Sequence, residues 1–91
     1  MTANLNAIRG GGRFFRETRF RAGGRPTPAE GYAQRIDIYD AILEAGDIDR
    51  TELLDALQRR GHRRRNGSDV NEDYCRTELR DLWNRGYIEL A

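Results

Sequence analysis

The sequence predicts a mainly α domain of three helices that closes in a short C-terminal strand, preceded by a basic arm. Three segments after residue 27 repeat apolar residues at helical spacing, each with its own start and stop signals, and a short alternating stretch follows the last. A chain of 91 residues holds one such core and not two. We therefore place the arm at residues 1–26 and the folded domain at residues 28–91.

The arm is rich in glycine and arginine. Residues 1–27 carry six arginines and a single acid, a net charge of +5. Glycine-rich basic sequence cannot bury enough apolar surface to order itself, which predicts an arm and not a second domain. Within it, residues 13–21 (RFFRETRFR) are predicted to form at most one short strand, because apolar and polar residues alternate poorly there.

Helix 1 is predicted at residues 28–45. Residues 27–30 (TPAE) form a capping box, in which the threonine hydroxyl accepts from the N3 amide, the glutamate reaches back and proline occupies the first helical position. Gly46 supplies the left-handed residue that ends the helix. The apolar stripe at helical spacing consists of Tyr32, Ile36, Tyr39 and Leu43, widened by Ile38 and Ile42.

Helix 2 begins at a second capping box and ends at Gly61. Asp49 and Glu52 are the two members of this box, and Ile48 and Leu53 flank it as a hydrophobic staple. These local signals fix both ends of a short helix.

Helix 3 is predicted to run to about Arg85, where Gly86 ends it, and either Ser68 or Asn71 caps its start. Residues 87–90 (YIEL) then alternate like a short terminal strand. The aromatic residues at helical spacing are expected in the core, with a stacking platform as the alternative: Tyr32, Tyr39 and Trp83. The inward face of helix 3 is Cys75, Leu79, Leu82 and Trp83.

Charge is segregated along the chain. After the basic arm, residues 28–58 carry a net charge of −6, residues 59–67 (RRGHRRRNG) carry +5 with no acid, and residues 68–91 carry −3. A net charge of +1 therefore hides two basic segments, and this asymmetry indicates a charged partner. Lysine is absent, and the planar fork of arginine suits phosphate and carboxylate. A G+C-rich genome also favours arginine codons over lysine codons, so the absence of lysine alone indicates little. The prediction of a charged partner therefore depends on where the charges lie along the chain.

The composition disfavours several functional classes. No apolar run approaches the ~18 residues that span a bilayer, and no signal peptide is indicated, so we expect a cytoplasmic protein without a membrane partner. Cys75 and His62 are single residues of their kinds, too few for an internal disulfide or a Cys-rich zinc site. Since Ser68 is the sole serine and no Gly-Lys phosphate loop is present, we expect no enzyme, no metal and no cofactor.

Residues 76–89 (RTELRDLWNRGYIE) combine two core leucines three residues apart with a following glycine, tyrosine, isoleucine and glutamate. Together with the acidic turn at residues 46–49 and the leucine-rich second helix, this pattern resembles a winged helix-turn-helix domain of the small prokaryotic or viral regulator type. The resemblance covers residues 28–91. It implies a truncated or non-standard wing, because no second wing strand follows the first. The first wing strand then pairs with residues 13–21, with Ile48 or with another subunit.

The resemblance implies a module that binds double-stranded DNA, as a small transcriptional regulator or accessory factor, with helix 3 in the major groove. The residues early on its exposed face, which this predicts to touch base edges, are Asn71, Arg76, Thr77 and Arg80. The predicted phosphate contacts beside the groove are Arg59, Arg60, His62, Arg63, Arg64 and Arg65. The arm is expected to follow an adjacent groove or the backbone through Arg13, Arg16, Arg19, Arg21 and Arg25.

Two further features depart from the winged helix-turn-helix pattern. The connection at residues 61–67 is longer than the usual turn of about three to four residues. Glu72 and Asp73 suit the dipole at the start of helix 3, but they would face phosphates in a groove. The alternative function is a protein-binding adaptor or inhibitor, whose acidic and basic patches meet complementary surfaces of a larger partner. A homodimer is compatible with either function.

Overall fold

The computed structural model describes residues 13–23 and 31–91. Three helices pack with one small antiparallel sheet, which confirms a mainly α domain with a short C-terminal strand. Within the described residues, none of the helices is long and apolar enough to cross a membrane. The elements in chain order are β1 (Phe20–Ala22), α1 (Ala33–Ala45), β2 (Asp47–Ile48), α2 (Arg50–Arg59), α3 (Glu72–Asn84) and β3 (Ile88–Leu90).

Helix α1 begins later than the sequence predicts. It starts at Ala33 and not at residue 28, because Gly31 lies in a bend before it and glycine within a helix costs about 0.5–1 kcal/mol. The predicted capping box at residues 27–30 lies outside the described residues. The C-terminal end is confirmed: Gly46 has a φ of 87°, and its N–H donates to carbonyls of the last helical turn.

The buried face of α1 is rotated from the predicted stripe. Ile38, Tyr39 and Ile42 are buried on the side that packs against β1 and α2, whereas Leu43 is 55% exposed. The isoleucines predicted to widen the stripe are therefore its centre, since the sheet and α2 lie on their side of the helix. Tyr32 precedes the helix and is only half-buried, so the prediction that it belongs to the core is wrong.

The capping signals of α2 and α3 form between neighbouring residues. Asp49 Oδ1 accepts from the Glu52 N–H at 2.8 Å, and Glu52 Oε1 accepts from the Asp49 N–H at 3.1 Å, which confirms the capping box. At α3, Asn71 Oδ1 accepts from the Tyr74 N–H at 2.8 Å. Asn71 and not Ser68 is therefore the N-cap.

Strand β1 lies in the middle of the sheet, in the order β2-β1-β3, and is antiparallel to both neighbours. Phe20 pairs with Ile48 in β2 and with Leu90 in β3. The strand predicted at residues 13–21 is shortened to Phe20–Ala22, because the residues before it form a tight turn. Among the partners considered for the C-terminal strand, β3 pairs with this segment of its own chain.

The segment that precedes α1 contributes to the core. Phe20 is fully buried, and its ring meets Trp83 edge-on with 5.3 Å between centroids; Phe14 packs on the same pair, 5.0 Å from Phe20. The predicted domain boundary at residue 28 is therefore too late, because aromatic packing and sheet pairing bring residues 14–22 into the folded unit. The inward face predicted for α3 is confirmed, with every residue buried: Cys75, Leu79, Leu82 and Trp83.

Candidate nucleic-acid interface

The connection between α2 and α3, residues 60–70, contains three consecutive arginines at residues 63–65, and we call it the arginine loop. Its own hydrogen bonds close it: the Arg64 N–H donates to the Ser68 carbonyl at 3.1 Å, and the Gly67 N–H donates to the Arg64 carbonyl at 2.8 Å. Asn66 Oδ1 accepts from both the Ser68 N–H and the Ser68 hydroxyl. The long connection is therefore a folded loop with a defined shape.

His62 lies inside the molecule, although the sequence predicts it among the phosphate contacts. Its side chain is 2% exposed. Its Nδ1 is 2.7 Å from Asp37 Oδ2 on α1, and its Nε2 is 2.8 Å from the Tyr74 hydroxyl on α3. Because both ring nitrogens are engaged and covered, His62 cannot contact a phosphate, and this assignment is wrong. Asp37 on α1 therefore faces the interior at this point, with 35% of its side chain exposed.

The protonation of this group follows from its surroundings. Burial alone raises the pKa of Asp37, but hydrogen bonds from Arg60 and His62 outweigh it and hold the pKa below its ordinary value of 3.8. Burial also raises the pKa of the Tyr74 hydroxyl well above its ordinary value. At neutral pH the group therefore holds a carboxylate and a protonated phenol on either side of the imidazole.

Three arginines of the second basic segment face carboxylates of their own chain. Arg60 donates to Asp37 at 2.7 Å and to Glu44 at 3.2 Å. Both acids belong to α1, so the Arg60 guanidinium is directed toward that helix and away from solvent. Arg59 pairs with Asp55 at 2.9 Å, and Arg63 pairs with Asp69. The last two pairs are exposed on both sides, and such pairs are worth only about 0–1 kcal/mol, so an incoming anion can replace the carboxylate.

Arg64 and Arg65 differ from these three, because neither pairs with a carboxylate of the described residues. The Arg64 guanidinium carbon lies 5.4 Å from the centre of the Tyr74 ring, and that of Arg65 lies 4.9 Å from the centre of the Tyr32 ring. Tyrosine faces hold both cations without neutralising them. Both arginines line a cleft of about 310 Å³ between the arginine loop and α3, together with Tyr32, Asn66, Asp73, Tyr74, Thr77 and Glu78.

The exposed side of α3 begins at this cleft. Thr77 is exposed and lines it. Arg80 is half-buried, has no carboxylate partner among the described residues, and its buried Nε lacks a hydrogen-bond partner. Arg76 pairs with Asp73, one helical turn away. The side-chain oxygen of Asn71 serves as the helix cap, so as an acceptor it is committed to α3 and not to a base edge.

The two acids on the first turn of α3 are matched by arginines. Glu72 Oε1 is 3.4 Å from Arg50 Nε and 3.7 Å from Arg16 Nε. A hydrogen bond from Arg76 lowers the pKa of Asp73. Glu78, further along α3, also lines the cleft and accepts a hydrogen bond from the Tyr32 hydroxyl at 3.2 Å. Burial raises the pKa of the Glu78 carboxyl. Asp73 and Glu78, the two acids that line the cleft, thus each accept a hydrogen bond from their own chain.

Two of the four described arginines of the first segment pair with acids of the neighbouring strands. Arg19 reaches Asp47 at 2.5 Å and Glu52 at 2.9 Å, and Arg21 reaches Glu89 at 2.9 Å. The predicted arm is corrected at this point, because Arg21 lies within a strand, opposite Asp47 of β2 and Glu89 of β3, and Arg19 directly precedes that strand. Both ion pairs are exposed, so the DNA contacts predicted for these two arginines stay predictions. Arg16 pairs with Glu72 at 3.7 Å. Arg13 has no carboxylate partner among the described residues. Arg25 lies outside the described residues.

Four residues that line the cleft were not predicted as site residues: Tyr32, Asn66, Tyr74 and Glu78. One signal was available for two of them, since Tyr74 and Glu78 are spaced i, i+4 and share a side of α3. No local signal placed Tyr32 beside them, because Tyr32 lies 46 residues before Glu78 in the sequence. Comparison of the chain with protein-family models, curated proteins and solved structures gave no match.

Proposed function

We propose that the protein is a module that binds double-stranded DNA, in which the arginine loop contacts the phosphate backbone and α3 is presented to the major groove. One observation carries the proposal: Arg64 and Arg65 have no carboxylate partner among the described residues and line the same cleft as Thr77 on the exposed side of α3. Two guanidinium groups beside one cleft supply the positive charge and the bidentate donors that bind phosphate oxygens. Stacking on tyrosine limits their side-chain freedom before binding.

The arrangement of the sheet favours a winged helix-turn-helix as the scaffold. In such a domain a second wing strand returns beside the strand that follows the third helix. Here β1 lies beside β3, antiparallel to it, so a strand from before α1 occupies the position next to the first wing strand. The proposed module is therefore a non-standard winged helix-turn-helix whose wing is completed from the N-terminal side.

The proposal assigns unequal roles to the predicted contacts. Arg64, Arg65, Thr77 and Arg80 are the primary residues, because their polar groups face outward or lack a partner. Arg59, Arg63 and Arg76 are secondary, since each must first exchange an exposed carboxylate for a phosphate. Arg60 and His62 serve the fold alone.

The test is a titration of fluorescent duplex DNA, followed by anisotropy at about 50 and 200 mM salt. We expect the wild type to bind more weakly at the higher salt. The double variant Arg64→Ala/Arg65→Ala makes the plot of log K against log salt shallower. The magnitude of its negative slope falls by about 2, since each lost phosphate contact removes about 0.9. The matched control is Arg21→Ala/Arg85→Ala, which removes the same charge from arginines that pair with Glu89 and Asp81. Equal slopes in the two double variants contradict the proposed interface.

A protein-binding adaptor is the second candidate. It is favoured by the ion pairing, because the acids of the described residues cover most of the arginines and reduce the positive surface that DNA requires. Absence of DNA binding by the wild type at about 50 mM salt decides for this candidate. A pull-down from the native cell then identifies the partner.

A further inference from the structure

We infer that His62 is a positioning residue that holds Arg64 over the Tyr74 ring, and so controls one of the two proposed phosphate contacts without touching DNA. The inference rests on the proposed function for its effect on binding. The position of Arg64 over the Tyr74 ring is a property of the protein without DNA, and it can be measured whether or not DNA binds.

The first step is the backbone. The His62 N–H donates to the Leu57 carbonyl at 3.0 Å, which ties the start of the arginine loop to the last turn of α2. Arg64 follows two residues later, and its own N–H is bound across the loop to Ser68. The position of the Arg64 backbone is therefore set from both sides, and His62 provides the side that connects to the helices.

The second step is the ring beneath Arg64. His62 Nε2 is 2.8 Å from the Tyr74 hydroxyl, and the two rings are 5.7 Å apart between centroids. The opposite nitrogen is fixed by Asp37, which Arg60 also holds. A buried imidazole bound at both ends fixes the orientation of the phenol, whose face carries the Arg64 guanidinium.

The third step is the contrast with Arg65. The ring under Arg65 is Tyr32, whose hydroxyl donates to Glu78 and not to the histidine. The two neighbouring arginines thus have separate supports on different elements. Loss of His62 is expected to affect the contribution of Arg64 and to spare that of Arg65, which a general loss of stability would not do.

The first experiment measures the position of Arg64 in the protein without DNA. The Arg64 side-chain Nε–Hε signal in a ¹H–¹⁵N NMR spectrum is shifted by the ring current of Tyr74, and we expect this shift to be lost in His62→Leu. The Arg65 signal serves as the internal control and keeps its shift. If both signals are unchanged, or both change equally, His62 does not position Arg64.

The second experiment is a double-mutant cycle on affinity for duplex DNA. Arg64→Ala is expected to weaken binding by about threefold or more in the wild type and by less than about 1.5-fold in His62→Leu, whereas Arg65→Ala weakens both equally. Equal effects of Arg64→Ala in both backgrounds overturn the inference. Where His62→Leu fails to fold, Tyr74→Phe keeps the ring and removes only the hydroxyl that His62 meets, with the same expected pattern. A wild type that binds no DNA overturns the proposed function, and the NMR shift still decides the positioning.

Discussion

The arginines of residues 13–21 and those of the arginine loop meet different surroundings. In the first segment, Arg19 and Arg21 face acids on the two strands that flank β1. In the arginine loop, Arg64 and Arg65 lie on tyrosine rings beside an open cleft. The availability of an arginine for a partner thus depends on the carboxylates within its reach, and much less on the local density of basic residues.

Sheet pairing explains the difference. Residues directly opposite each other in antiparallel strands bring their side chains within about 5.5 Å of one another. Arg21 is opposite Asp47 in β2 and Glu89 in β3, so its charge is balanced by the register itself. A loop has no such cross-strand neighbours, and its arginines pair only where an acid happens to lie close. Arg19 and Arg21 of the first segment are therefore paired within the fold, while Arg64 and Arg65 of the loop have no carboxylate partner among the described residues.

The largest test of this comparison concerns the apolar residues of the first segment. Phe20→Ala is expected to lower the free energy of unfolding by about 3–5 kcal/mol, because it removes a fully buried ring between Trp83 and Phe14. Phe15→Ala, at a ring that is 78% exposed, is the control and changes stability by less than about 0.5 kcal/mol. Urea unfolding followed by circular dichroism measures both. Equal effects show that the segment is an arm after all.

The next test concerns the support of the loop. Asp37→Ala removes the acceptor of the buried His62 nitrogen and is expected to cost about 1–2 kcal/mol at neutral pH, a value reduced because Asp37 is partly exposed. Since the native pKa of Asp37 lies below 3.8, its carboxylate stabilises the fold above that pH, and this contribution is lost as the pH falls through the native pKa.

The difference in stability between wild type and Asp37→Ala therefore shrinks at acidic pH, as measured by urea unfolding at pH 7 and at about pH 3. Asp55→Ala, which breaks only the exposed pair with Arg59, serves as control and changes little at either pH. A difference that is constant with pH contradicts the assignment of the carboxylate.

A pair of single substitutions compares the two regions directly. Arg19→Ala is expected to lower Tm, because Arg19 joins Asp47 to Glu52, and to leave DNA affinity nearly unchanged. Arg65→Ala is expected to weaken DNA binding and to leave Tm nearly unchanged. The magnitude of the slope of log K against log salt should fall by about 1. Thermal unfolding and anisotropy on the same samples decide it. The comparison fails if both variants lose affinity to the same extent.

The smallest expected effect concerns an acid of the loop. Asp69→Asn releases Arg63 from its exposed ion pair and is expected to raise DNA affinity by about two- to threefold at low salt. Glu89→Gln makes the same change of charge at Arg21, away from the cleft, and raises affinity less. An equal gain in both variants means that net charge, and not the release of Arg63, governs binding.

Local sequence signals predicted the helix ends and one face well. The box at Asp49 and Glu52 and the cap at Asn71 depend on residues three apart, so their partners are visible in the sequence. The start of α1 was predicted too early, because Gly31 lies in a bend before the helix. The burial of Tyr32 was predicted wrongly, because neighbours distant in sequence decide which side of α1 is covered. The candidate site was predicted in part: the sequence indicated the arginines and Thr77, and it missed the two tyrosines, Asn66 and Glu78.

The sequence by itself determined three helices, all their ends except the start of α1, and the inward face of α3, since these follow from contacts within one or two helical turns. Only the tertiary structure decided which charges remain available. Arg21 meets Glu89 from 68 residues away, and His62 meets Asp37 from 25 residues away. An ion pair or a buried hydrogen bond is set by distance in space, and folding brings together groups that no spacing along the chain relates.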